Sequence, residues 1–147
     1  MAKLQRHKPY DHTAHGPDAF DCAGFVWYLY NEILGIDIYE NGYRLSTTTK
    51  IMTSKYGILT LYKKDDLNKS INLIKKGDIV LFHRQSLNDC YPKCDNKYPG
   101  HCGIYLGNNY FIHASSKSKK IIINSFNNDY WKKVLVASKD IISNKKY

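Results

Sequence analysis

A cysteine at the start of a helix and a histidine on a neighbouring strand can act as nucleophile and base, and this chain carries the residues for both. Cys22 follows Asp21 and stands directly before an apolar run, Phe25-Val26-Trp27-Tyr28-Leu29-Tyr30, that continues to Ile33-Leu34 and stops at Gly35. Apolar residues at 22, 25, 26, 29, 30 and 33 follow the spacing of a buried helix face. Asp21 suits the N-cap and Gly35 the stop. Cys22 then falls in the first turn, where the partial positive charge of the helix N-terminus favours a thiolate. A lone cysteine is ordinarily a small buried residue. It becomes a nucleophile only if a histidine reaches it from elsewhere.

His101 and His113 stand on two consecutive predicted strands, 101–106 and 110–114, around Gly107-Asn108-Asn109. Side chains alternate faces along a strand, so the turn decides whether the imidazoles meet. With a three-residue loop at 107–109, residue 106 lies opposite 110 and 103 opposite 113, and the two histidines sit diagonally on one face. A two-residue loop would put them on opposite faces and remove the triad. His7, His12, His15 and His83 read as polar residues satisfied by solvent or backbone. His12, His15 and the 84–100 loop are the reserve sources of a partner for the base.

The elements that must hold these residues follow in chain order. Residues 8–20 read as a loop into the cysteine helix, because Pro9, Gly16 and Pro17 exclude regular structure. A second helix is predicted over Ser46–Lys55, ended by Gly57, and a strand over Ile58–Tyr62. Asp65 to Ile74 is a charged connection. Ile79–Phe82, after the Lys76-Gly77-Asp78 turn, is an uninterrupted apolar strand of the kind found at a sheet centre. Residues 84–100 form a long polar loop, and loops of that length tend to be functional. Further strands are predicted at 121–123 and, more weakly, at Trp131–Ala137. Helices first and an antiparallel meander afterwards make an α+β protein.

The 147 residues suffice for one domain with a proper core. Residues 1–147 are expected to be a single catalytic domain with 1–7 and 140–147 peripheral. No apolar run approaches a membrane span. The start lacks the apolar core of a signal peptide, so the expectation is export by another route, such as phage lysis, or excision from a longer protein. A net charge of +9 calls for an anionic partner. No basic helix or nucleic-acid motif accompanies it, so nucleic acid is not expected. The abundance of Lys, Asn, Ile and Tyr also fits an A/T-rich genome, as in a low-GC bacterium or its phage.

Four segments, in order, carry a resemblance: Phe20-Asp21-Cys22-Ala23-Gly24-Phe25-Val26, Lys76-Gly77-Asp78-Ile79-Val80-Leu81-Phe82, Gly100-His101-Cys102-Gly103-Ile104-Tyr105-Leu106-Gly107 and Phe111-Ile112-His113-Ala114-Ser115. Together they resemble the motifs of the NlpC-type cell-wall cysteine peptidases, over roughly residues 8–137. The resemblance implies a papain-like α+β fold, with an N-terminal nucleophile helix packed on an antiparallel sheet that carries the histidines. It implies an enzyme that cuts peptidoglycan stem peptides, in the manner of an autolysin or endolysin, with no cofactor and no metal. It assigns Cys22 as nucleophile, His101 as general base and His113 as the residue orienting that base. Tyr10 matches a tyrosine near the substrate and oxyanion, and Asp21 an acid that helps hold a free stem peptide's amino end. Ala23 stands where the family usually has serine, and Asp11-His12-Thr13-Ala14-His15 replaces its glycine pair. Cys102 stands where valine is common, as a core substitute, and the loop with Cys90 and Cys94 looks like an insertion.

The implied bond joins D-glutamate, through its γ-carboxyl, to the diamino acid; the muramoyl–alanine amide cut by related amidases is the runner-up. The partners expected are stem peptides and anionic wall polymers, with the protein a monomer. The same acyl-enzyme would also serve an acyltransferase or transpeptidase. A non-enzymatic alternative uses Cys90, Cys94, His101 and Cys102 as a zinc set. Against it, residues 101 and 102 are adjacent on a strand and point to opposite faces. Cys90 and Cys94 could instead pair as a disulfide outside the cell or remain free thiols.

Overall fold

The computed structural model describes residues 2–12, 14–36, 38, 48–63, 65–83 and 99–143. The 84–98 part of the expected long loop, with Cys90 and Cys94, lies outside the described residues. Helix α1 runs Cys22–Trp27 and continues without a break as a π-helical stretch, Tyr28–Ile33. The N–H of Leu34 reaches back to the carbonyl of Leu29 at 3.1 Å, and Gly35, with φ of 66°, ends the run. The predicted helix is therefore present, with its second half widened by an i→i+5 ladder. Helix α2 covers Thr48–Thr53, and Gly57 follows with φ of 86°.

Among the described residues, six strands form one antiparallel sheet in the order β1-β6-β2-β3-β4-β5. They are β1 Ile58–Leu61, β2 Ile79–Phe82, β3 His101–Gly107, β4 Tyr110–Ser115, β5 Lys120–Ser125 and β6 Leu135–Asp140. β2 lies inside the sheet between β3 and β6 and is buried along its whole length, as its unbroken apolar run requires. Its alternation feeds two cores. Ile79 and Leu81 join Phe25, Val26, Leu29, Cys102, Ile104, Ile112 and Ala114 in the layer under α1. Val80 and Phe82 join Tyr105, Phe111, Phe126, Val134 and Leu135 on the other side. Full burial of each such side chain contributes about 1.5–3 kcal/mol.

Two expectations need correction. Residues 129–134, Asp129–Val134, are a short helix, α3, and only Leu135 onward is strand. Asn128 caps α3 by accepting from the N–H of Tyr130, a local hydrogen bond that outweighs the β preference of Trp131 and Val134. The β3–β4 turn also differs. Tyr105 pairs with Phe111, but Gly107 pairs with Tyr110, leaving a two-residue turn and an extra residue, Leu106, in β3. Asn108 and Asn109 both hold positive φ, 52° and 69°, as a tight hairpin turn demands. The bulge restores the frame that a two-residue turn alone would have lost. Ile104 still lies opposite Ile112, so Gly103 still falls opposite His113.

Lys139 shows how α2 is held. Its ammonium is buried and donates to the carbonyls of Ile51, Met52 and Ser54 at 2.8, 3.4 and 2.6 Å, closing the C-terminal end of the helix whose first residue is Thr48. Among the described residues, no helix is long and apolar enough to cross a membrane.

Candidate active site

Asp21 fixes the start of α1. Its backbone is extended, and its Oδ1 accepts from the N–H of Gly24 at 2.6 Å. Gly24 is needed there, because a Cβ would come within 2.2 Å of the Ala14 carbonyl oxygen. The loop before the helix is thereby laid on its first turn, with the N–H of Asp21 donating to Ala14 at 2.7 Å. The same loop ties Tyr10 to the residue two before the cysteine: Tyr10 bridges to Phe20, and the N–H of Asp11 donates to the Phe20 carbonyl at 3.0 Å. The Tyr10 side chain is half-buried against the core under α1.

Cys22 is the first residue of α1 and is buried, with only 7% of its surface exposed. Its Sγ lies 3.8 Å from Thr48 Oγ1, and its carbonyl oxygen lies 3.4 Å from the Sγ of Cys102. The helix start is thus seated at the N-terminal end of β3, one residue from His101.

The imidazoles meet as the diagonal pairing requires. His101 Nε2 and His113 Nδ1 are 2.7 Å apart, with the rings nearly perpendicular at 83°. Gly103 leaves the space for this, since a Cβ there would lie 3.0 Å from the Cβ of His113. A third residue, which the sequence reading missed, extends the chain: His113 Nε2 lies 2.7 Å from Asn124 Oδ1. An amide oxygen only accepts, so the His113 proton sits on Nε2 and Nδ1 keeps a lone pair. His101 must then donate from Nε2, and its Nδ1 becomes the basic nitrogen of that ring. Alternation from Ile122, the partner of His113, puts Asn124 on the same face, and that was the available signal.

Trp131 was missed as well, because a strand was expected there. Its ring stands at 69° to His113 with centroids 5.1 Å apart and lies 6.2 Å from the His101 ring. A cleft of about 560 Å³ opens beside the imidazoles, lined by Phe82, His83, Ser115–Ser118, Asn124, Asn128, Tyr130 and Trp131 among others. Neither reserve histidine joins the pair: His15 stacks on Trp27 at 5.4 Å and His12 is exposed. His101 packs on Phe82 while Cys102 faces Cys22, so the adjacent residues do point to opposite sides. Among the described residues, no cluster of three or more His, Cys, Asp or Glu is placed to hold a metal ion.

Burial and then the neighbouring His101 push His113 down to about 3, against the pull of the Asn124 hydrogen bond. His113 is thus neutral at working pH. An unfolded chain binds this proton below about 6.5 and the native state only near 3, so stability is complete above 6.5 and lost as pH falls between the two values. The expected slope is on the order of 1.4 kcal/mol per pH unit. Denaturant unfolding at pH 7 and pH 5 should therefore show a smaller acid loss in His113→Gln than in the parent. Equal losses would mean that His113 is not buried neutral.

Comparisons with known proteins give the family. The NlpC/P60 family model matches residues 7–140. The chain is 30% identical over 125 residues to the murein DD-endopeptidase MepS/murein LD-carboxypeptidase of Escherichia coli K12, covering 84% of this chain and 50% of that protein. It is 32% identical over 138 residues to the probable peptidoglycan endopeptidase LytE of Bacillus subtilis 168, covering 94% of this chain and 32% of that one. It thus spans half or less of the length of these curated relatives. The solved structure of NlpC2 from Trichomonas vaginalis superposes with a TM-score of 0.68 at 25% identity, over 95% of this chain and 44% of that one. A sheet with paired imidazoles and a cysteine-first helix, matched by the family model over nearly its whole length, places this chain in the NlpC/P60 family.

Proposed function

We propose that this chain is a peptidoglycan hydrolase, a cysteine endopeptidase that cuts a stem-peptide amide through an acyl-enzyme on Cys22. The observation that carries the reading is the hydrogen-bonded series His101–His113–Asn124, one strand residue away from the contact with a helix-start cysteine. Asn124 fixes the His113 tautomer, and His113 fixes that of His101, which leaves Nδ1 of His101 to take the thiol proton. The Cys22 thiolate attacks the amide carbon. The oxyanion is met by the Cys22 N–H of the first helical turn and by the Tyr10 hydroxyl. Protonated His101 then gives its proton to the leaving amine. In deacylation it takes one from water, and the product carboxylate leaves Cys22 free. Asp21 holds the amino end of a free stem peptide in this reading, and the net charge of +9 suits an anionic wall.

The bond we assign is the D-γ-glutamyl–diamino acid amide. Digestion of purified walls of several chemotypes, with mass identification of the released muropeptides, tests this directly. New amino termini on the diamino acid support it. Products cut at the DD cross-link or at the muramoyl–alanine amide reassign the bond, and no soluble product from any wall overturns the hydrolase reading. Activity should persist in EDTA and be lost on alkylation of a single thiol; loss in EDTA with recovery on zinc would replace the cysteine mechanism by a metal one.

A further inference from the structure

Cys102 has no place in that chemistry, yet it touches the residue at its centre. It is fully buried, and its Sγ lies 3.4 Å from the carbonyl oxygen of Cys22. The Thr48 hydroxyl lies 3.8 Å from the sulfur of Cys22 and 3.8 Å from that of Cys102, so one oxygen bridges the two thiols. Both are present as thiols. A disulfide needs two backbones packed in direct contact, with Cα atoms about 4.4–6.8 Å apart. Here the backbone carbonyl of the helix start touches the sulfur of the adjoining strand, so the two residues are in direct contact. As filler, cysteine is only a small hydrophobe; what distinguishes it here is a second sulfur beside the first.

We propose that Cys102 is a resolving thiol, which converts Cys22, once oxidised by a hydroperoxide, into a Cys22–Cys102 disulfide that holds the nucleophile inactive and recoverable. The inference rests on Cys22 being the reactive thiol of the proposed hydrolase. In the first step the Cys22 sulfur attacks the peroxide: an S–O bond forms, the O–O bond breaks, and the sulfur is oxidised by two electrons as the peroxide becomes an alcohol or water. In the second, the Cys102 sulfur attacks the sulfenic sulfur: the S–S bond forms, the S–O bond breaks, and hydroxide leaves as water with the Cys102 proton. The two thiols differ in the way this order needs. Cys22 sits at a helix N-terminus, which favours thiolate. Burial, and then the adjacent Cys22, push the Cys102 thiol up against the pull of Thr48, so it stays protonated and is not the first to be oxidised. Thiol reductant restores both thiols.

The test uses the full chain carrying Cys90→Ser and Cys94→Ser, so that only two cysteines remain. After hydrogen peroxide and digestion without reductant, mass spectrometry should find the Cys22 and Cys102 peptides joined, two hydrogens lighter than their sum. Wall hydrolysis should fall in step with that product and return with dithiothreitol to within about twofold of its starting rate. Cys102→Ser, and Cys102→Val as a second variant for folding, should give no joined peptide, and Cys22 should pass to sulfinic acid with activity lost for good. Oxygenated Cys22 without a joined peptide in the parent, or full recovery in both Cys102 variants, overturns the proposal. The joined peptide is read by mass alone. A protein that forms it without cutting walls would refute the hydrolase reading and leave the resolving role standing.

Discussion

Replacing His101 with glutamine should bring wall hydrolysis to background, a loss of about a thousandfold or more, while His113→Gln should keep measurable turnover. The two imidazoles are 2.7 Å apart, yet they face different tasks. Nδ1 of His101 takes no part in the imidazole series, and in the proposed mechanism it takes the thiol proton and returns it to the leaving amine. Glutamine can do neither, because its amide does not titrate in water. His113 accepts a hydrogen bond from His101 and donates one to Asn124, and it is held neutral by its pKa of about 3. A glutamine carbonyl can still accept from His101 Nε2–H and preserve the tautomer in part. The check is the rate of both variants on one wall substrate, with the pH profile of each. The His113 variant should lose rate mainly in kcat and keep the shape of the parent's profile. Equal losses in the two variants would refute the division of labour.

The pairing of the histidines was legible because alternation along a strand is strict, and the right face followed from counting. The count itself rested on the wrong turn. Asn108 and Asn109 tolerate positive φ, which shortens the loop, and Leu106 bulges to compensate. Two irregularities cancelled, and neither is visible in an apolar pattern. Asn124 could have been found by extending the same alternation one strand further. Trp131 could not, because its neighbours favour a strand and the cap at Asn128 decides for a helix. The contact between Cys102 and Cys22 was illegible for another reason. It depends on how the start of α1 lies across β3, and that comes from packing between distant elements rather than from any local signal.

Substitution of Cys22 by alanine should abolish wall hydrolysis, by about a thousandfold at least, and lower stability by only about 1 kcal/mol. The catalytic part follows from the proposed mechanism, in which the Cys22 sulfur carries the acyl group. The stability part needs the structure, because Cys22 is buried rather than the partly exposed residue that a reactive thiol suggests. One sulfur is removed from beside Thr48 and Cys102, and the cavity left is small. The contact of Cys102 with the Cys22 carbonyl survives, because it is made to the backbone. The Asp21 cap, the loop carrying Tyr10 and the His101–His113–Asn124 series do not involve the sulfur either. The variant should therefore still bind stem peptides, with the loop, the helix start and the imidazole series in place. Denaturant unfolding, equilibrium binding of a purified muropeptide and turnover on intact walls measure the three consequences separately. Native-like folding and binding with no turnover is the expected outcome; undiminished turnover would remove Cys22 from the mechanism and with it the acyl-enzyme.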